Sequence, residues 1–230
     1  MLIDPNEFLR VTREPLAEGD ASRLAQEVHQ RWSVEQVCSL LASTTTEARQ
    51  VAALVVGLIG DRRFAGCLAR GLHDRDAKVN EMAEHGLWAI WMRSCCCEAS
   101  EPFHEALDAI SGEDYPRAVE LLDRVIEIDP HFAEAYNQKA IALFFHGAYR
   151  ESIAMCQQAL ERCPSHFGAM AGMGHGFAEL KEWDKALRCY RKALSINPHM
   201  PGISHAVTQL EKKIAEANAP DPDASRRRSA

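Results

Sequence analysis

One feature limits what this chain can fold into more than any other. A proline-terminated tripeptide returns at a fixed interval of 34 residues, as Ile128-Asp129-Pro130, Arg162-Cys163-Pro164 and Ile196-Asn197-Pro198. Counted back from each proline, small side chains fall in step at Ala118, Ser152 and Ala186, and again at Val125, Ala159 and Ala193. Leu122, Cys156 and Tyr190 share a third phase, while Ala140 and Gly174 match as the small positions of the preceding helix. Small residues let two helices approach closely, large ones fill the space between successive pairs, and proline closes one unit before the next begins. Gly147 falls in the short turn between the two helices of the middle unit. Such a period implies helical hairpins that each bury an apolar face only against their neighbours.

This combination of period, small/large register and closing proline resembles the tetratricopeptide repeat family. The resemblance runs from about Glu98 to Glu216 and implies three units, 99–132, 133–166 and 167–200, followed by a helix from Pro201 to Ala217. The first unit departs from the pattern at Ser111-Gly112-Glu113-Asp114, where an extra residue is expected to lengthen the turn.

Upstream, residues 37–60 align with 68–91 at a different offset, 31 residues. Leu41 meets Leu72, Val51 meets Met82, Ala52 meets Ala83, Val56 meets Leu87 and Ile59 meets Ile90. Each copy reads as a short helix, a polar turn and a longer apolar helix. The turn at residues 73–79 resembles that of short-period HEAT repeats, and a further helix is expected over 21–32. The expected fold is all-α, an alpha-alpha superhelix of hairpins. HEAT-like repeats span 1–97, tetratricopeptide repeats with a capping helix span 98–217, and a disordered tail covers 218–230. Around 93–101 the two arrays either hinge or pack continuously.

Composition narrows the function. A formal net charge of -7 argues against a dedicated nucleic-acid binder, which carries a basic surplus. Residues 1–15 have no sustained apolar run, so a secretory signal is not expected. The longest apolar stretch, 51–60, is about half of a bilayer crossing. A cytoplasmic protein without membrane contact is therefore expected. Of eight cysteines, Cys38, Cys67, Cys156, Cys163 and Cys189 lie in amphipathic helical patterns and read as small buried hydrophobes. Cys95-Cys96-Cys97 lacks the spacing that lets two thiolates share a metal. The glycine-rich run 168–176 lies inside a repeat helix and lacks the lysine of a phosphate loop, so close helix packing explains it. No metal, cofactor or catalytic constellation is expected.

In the family resembled, the first helix of each unit lines a concave groove that receives a peptide or helix of a partner. The resemblance places Glu134, Asn137, Ile141, Phe144 and Phe145 of the middle unit there, with Gly168, Ala171, His175, Ala178 and Glu179 of the third and His205, Gln209 and Lys212 of the last helix. One of the two phenylalanines can equally pack against the next hairpin. Members that clamp acidic chaperone tails use lysine, arginine and asparagine at set inward positions; Asn137 fits one of them, but Gly168, Ala171 and Gly172 stand where the following unit would need cations, so an acidic tail is not expected. The reading is a non-enzymatic scaffold or adaptor for other proteins. Two alternatives stand beside it. One is a lyase-type activity of the HEAT-like part acting on a partner protein, with His85, Trp88 and Trp91 as a pigment face. The other is self-association as a structural component.

Overall fold

The computed structural model describes residues 3–217, and the tail 218–230 lies outside them. Helix α1 (Pro5–Glu18) starts on the side chain of Asp4, which accepts from the Asn6 N–H, and stops at Gly19 in the left-handed region. Helix α2 (Ala21–His29) is capped by Asp20, and α3 (Val34–Ser39) by a reciprocal box of Ser33 and Gln36. These side chains satisfy N–H groups that a helix start leaves open. Helix α4 (Thr46–Ile59), the short α5 (Ala65–Gly71) and α6 (Ala77–Met92) complete the N-terminal half. Phe8, Val28, Val37, Val56, Leu68, Leu87 and Ile90 are buried in its core.

Two devices lock this half. The Arg49 guanidinium holds Asp74 through two bonds of 2.8 and 3.0 Å and donates to the Ser43 carbonyl, tying the turn after α3 to the turn after α5. The expectation that Cys38 and Cys67 are separate hydrophobes is corrected. They form a disulfide between α3 and α5, with Cα atoms 6.2 Å apart. Their sequence spacing gave no hint of this, because the pairing depends on how α5 folds back.

The second half is three hairpins and a cap: α7 (Cys97–Ser111) with α8 (Tyr115–Ile128), α9 (Ala133–Phe145) with α10 (Tyr149–Arg162), α11 (Phe167–Glu179) with α12 (Trp183–Ile196), then α13 (Pro201–Ala217). The in-step small residues sit where helices touch. Ala118, Ala159, Ala186 and Ala193 are fully buried, and the Ser152 hydroxyl donates to the Ala140 carbonyl at 2.7 Å. Gly174 lies so near the Tyr190 ring that a Cβ there would fall 2.5 Å from it.

The expected longer first turn is not present. All three hairpins turn through three residues, 112–114, 146–148 and 180–182. The middle residue is left-handed each time, at φ 60° for Glu113, 84° for Gly147 and 59° for Lys181. Glu113 and Lys181 stand where the middle unit has Gly147, and each carries the Cβ clash of that conformation. Glu113→Gly and Lys181→Gly are each expected to stabilise the chain by about 1 kcal/mol, read as a higher denaturation midpoint in urea.

The two halves do not stack end to end. Helix α6 packs on α9, and its tryptophans reach His166 and Phe167 at the start of α11, so the N-terminal helices lie against the inner face of the repeats. The connection is pinned rather than hinged. Arg93 donates to the Gly57 carbonyl at 2.6 Å, and the Cys96 N–H donates to Asp129 at 3.1 Å.

Candidate functional site

Residues three or four apart on a helix share a face, so Asn137, Ile141 and Phe144 form one stripe on α9, and Gly168, Ala171, Gly172 and His175 another on α11. The two stripes flank a cleft of about 410 Å³. Ala140, Ser152 and Cys156 lie beneath it, Met200 and Ile203 stand at its C-terminal side, and Trp88 of α6 faces it from the N-terminal half. No lysine, arginine, aspartate or glutamate is among the lining residues.

The aromatic rings form a connected series. Phe144 meets Phe145 edge-on at 5.6 Å and stands 6.2 Å from the His175 ring, while Phe145 stacks on Tyr115. Phe145 is 62% exposed, a large apolar surface offered to solvent at the rim. The Tyr190 hydroxyl and His175 Nδ1 are 2.7 Å apart. Burial pushes the phenol up to about 12, so it keeps its proton. With the phenol as donor, both partners are satisfied and the ring's proton sits on Nε2 as a free donor. Desolvation by its neighbours also lowers the pKa of His175, against the opposing charge of Glu179, although one side of the ring is open. Burial drives the Cys156 thiol up to about 12, an unreactive group beneath the cleft.

Glu134 is not presented in the groove as the register implied. It is 1% exposed, and its carboxylate takes His166 Nε2 at 2.7 Å, Asn137 Nδ2 at 3.0 Å and Gln138 Nε2 at 2.7 Å. His166 Nδ1 accepts the Ala169 N–H at 3.1 Å and caps α11, which leaves the ring's proton on Nε2, facing Glu134. Because the carboxylate can only accept, the Asn137 amide is oriented with Nδ2 inward and Oδ1 available to the cleft. Asn137, Ile141, Phe144, Phe145, Ala171 and His175 thus come together around one cavity. Glu179, His205 and Gln209 are exposed outside its lining. Trp88, Met200 and Ile203 are lining residues that the register did not name. Among the described residues, no group of three or more metal-ligating side chains converges, and no helix is long and apolar enough to cross a membrane.

Comparison with known proteins agrees with this geometry. Residues 133–166 and 168–200 each match a model of the tetratricopeptide repeat. A TPR repeat-containing protein of Rhizobium etli is 31% identical over 107 residues, 46% of this chain and 52% of that protein. Hsp70-Hsp90 organizing protein 1 of Glycine max is 27% identical over 118 residues, 50% of this chain and 21% of its own length. The chain therefore spans about half of the first relative and about a fifth of the second. Among solved structures, the Sgt2 TPR domain from Aspergillus fumigatus superposes with a TM-score of 0.53 at 19% identity, covering 56% of this chain and 89% of that domain. The first TPR of Spaghetti (RPAP3), bound to the HSP90 peptide SRMEEVD, gives 0.50 at 16% identity, covering 51% and 93%. At these identities the likeness is one of fold. The match to the tetratricopeptide repeat thus falls on helices α9 to α12.

Proposed function

We propose that the chain is a non-catalytic adaptor whose inner cleft holds an uncharged segment of a partner protein by two large apolar side chains. The observation that carries this reading is the lining, mostly aromatic and aliphatic, with polar groups at Asn137, Ser152 and His175 and no lysine, arginine, aspartate or glutamate. Its volume of about 410 Å³ falls in the range of roughly 300–1,000 Å³ usual for ligand pockets. The Asn137 Oδ1 would accept a backbone N–H of the segment and His175 Nε2 would donate to a backbone carbonyl. These bonds replace the water hydrogen bonds that the segment gives up on entry.

The RPAP3 domain is bound to an acidic peptide. Such a tail would meet no counter-charge in the lining here, and burying a carboxylate without one is costly. The N-terminal helices we read as HEAT-like hairpins, with the Arg49–Asp74 bond between successive turns in support.

Fluorescence polarisation tests the reading. The probes are capped octapeptides carrying pairs of Leu, Phe or Met in a Ser/Asn background, and SRMEEVD. At least one apolar pair is expected to bind in the micromolar range, with SRMEEVD at background. Ile141→Glu with Asn137→Ala should abolish capture while the variant stays folded. Binding of SRMEEVD as tight as any apolar peptide, or undiminished capture by the folded double variant, would remove the cleft from consideration.

A further inference from the structure

One wall of the cleft comes from outside the repeats. The Trp88 indole stands edge-on to His166 at 5.7 Å and to Phe167 at 5.5 Å. It lies so close to α11 that a Cβ at position 168 would stand 2.7 Å from its ring. Position 168 is 34 residues after Glu134, so it occupies the same register slot. A side chain there would collide with the indole, and glycine leaves the room. One turn further along α6, Trp91 stacks flat on His166, with centroids 4.1 Å apart and planes at 14°. From His166 the contacts continue through Glu134 to the Asn137 amide. A continuous series of packed and hydrogen-bonded groups thus links the N-terminal helices to a polar group of the cleft.

We propose that the N-terminal helices supply one wall of the docking site through Trp88, an inference that rests on the cleft being where the partner binds. Trp88 is the residue that sets which occupant fits, pressing its ring on an apolar side chain of an uncharged segment from the face opposite α9. Trp91, His166 and Glu134 are positioning residues that hold Asn137 with its oxygen toward the occupant. The absence of charge on Trp88 and on the rest of the lining selects an uncharged occupant. A groove shaped by the repeats alone would be open on this side and would hold a small apolar group only weakly, since a well-packed pocket excludes water around its anchor.

The experiment titrates the full chain with N-phenyl-1-naphthylamine, an uncharged aromatic probe that brightens in apolar surroundings. Trp88→Ala is expected to weaken probe binding roughly fivefold or more, and Trp88→Phe to recover part of the loss. Gly168→Ala, which displaces the indole without deleting it, should weaken binding as well and guards against a folding defect in Trp88→Ala. Glu134→Gln gives a readout that a merely structural role would not move. A glutamine amide facing the Asn137 amide turns Asn137 over, so an apolar peptide loses affinity while the probe, which reads no hydrogen bond, binds as before. Equal or tighter probe binding by Trp88→Ala and Gly168→Ala overturns the inference, the tighter result marking Trp88 as a plug. Equal loss of probe and peptide in Glu134→Gln overturns the positioning role. Probe binding that survives Ile141→Glu would instead sink the cleft reading itself, which keeps the two failures apart.

Discussion

His166→Ala is expected to destabilise the chain by about 3–5 kcal/mol, the sum of three losses at one buried position. His166 is fully buried, and its Nε2 faces a Glu134 carboxylate that is itself inaccessible. Removing the imidazole leaves that carboxylate with only the Asn137 and Gln138 amides. It also deprives α11 of its N-cap, worth about 1 kcal/mol, and opens a cavity beneath the Trp91 ring. His166→Gln restores a donor and a partial fill, so it should lose clearly less. Urea denaturation distinguishes these cases by midpoint at constant slope. A loss below about 1 kcal/mol for His166→Ala would mean that the buried pair is worth no more than an exposed ion pair.

The second large effect sits at the crossing of α4 and α6. A Cβ on Gly57 would come closer than 3.0 Å to the Gly86 Cα, and one on Gly86 would stand 3.0 Å from the Gly57 Cα. The atoms obstructing a Cβ on Gly57 are all backbone, so no side chain can swing away and the two helices must separate. That separation also strains the bond from Arg93 to the Gly57 carbonyl. Overpacking of this kind costs about 1–3 kcal/mol and sometimes more, while alanine in place of glycine returns about 1 kcal/mol of helix propensity. Gly57→Ala is therefore expected to be destabilising by about 1–2 kcal/mol, although alanine at an unobstructed helix position stabilises. A thermal midpoint at or above that of the parent chain would contradict the crossing geometry.

The repeats were legible because their signal is local and periodic. Ala118, Ser152 and Ala186 recur at the spacing of a hairpin, and each is buried where its hairpin closes. The stripe of Asn137, Ile141 and Phe144 follows from helix geometry alone. Glu113 hid the equality of the three turns, since a glutamate does not announce a left-handed residue as Gly147 does. Glu134 read as a groove residue because its partner lies 32 positions away on another helix start. A hint was present: His166 shares its register slot with Phe132, and both are buried just ahead of a helix. Trp88 could be placed at the junction of the two arrays but not in the cleft, because nothing local states where α6 comes to rest. The Cys38–Cys67 pairing depends likewise on the path of the chain between α3 and α5.

The most direct test follows individual side chains of the full chain by NMR during titration with a capped peptide bearing two phenylalanines. The account predicts that the Trp88 indole N–H, the Asn137 amide, the Ile141 methyl groups and the His175 ring shift together and saturate at one midpoint, while α1 to α3 stay unmoved. Saturable shifts confined to other surfaces, with Trp88 and Ile141 unchanged, would contradict it.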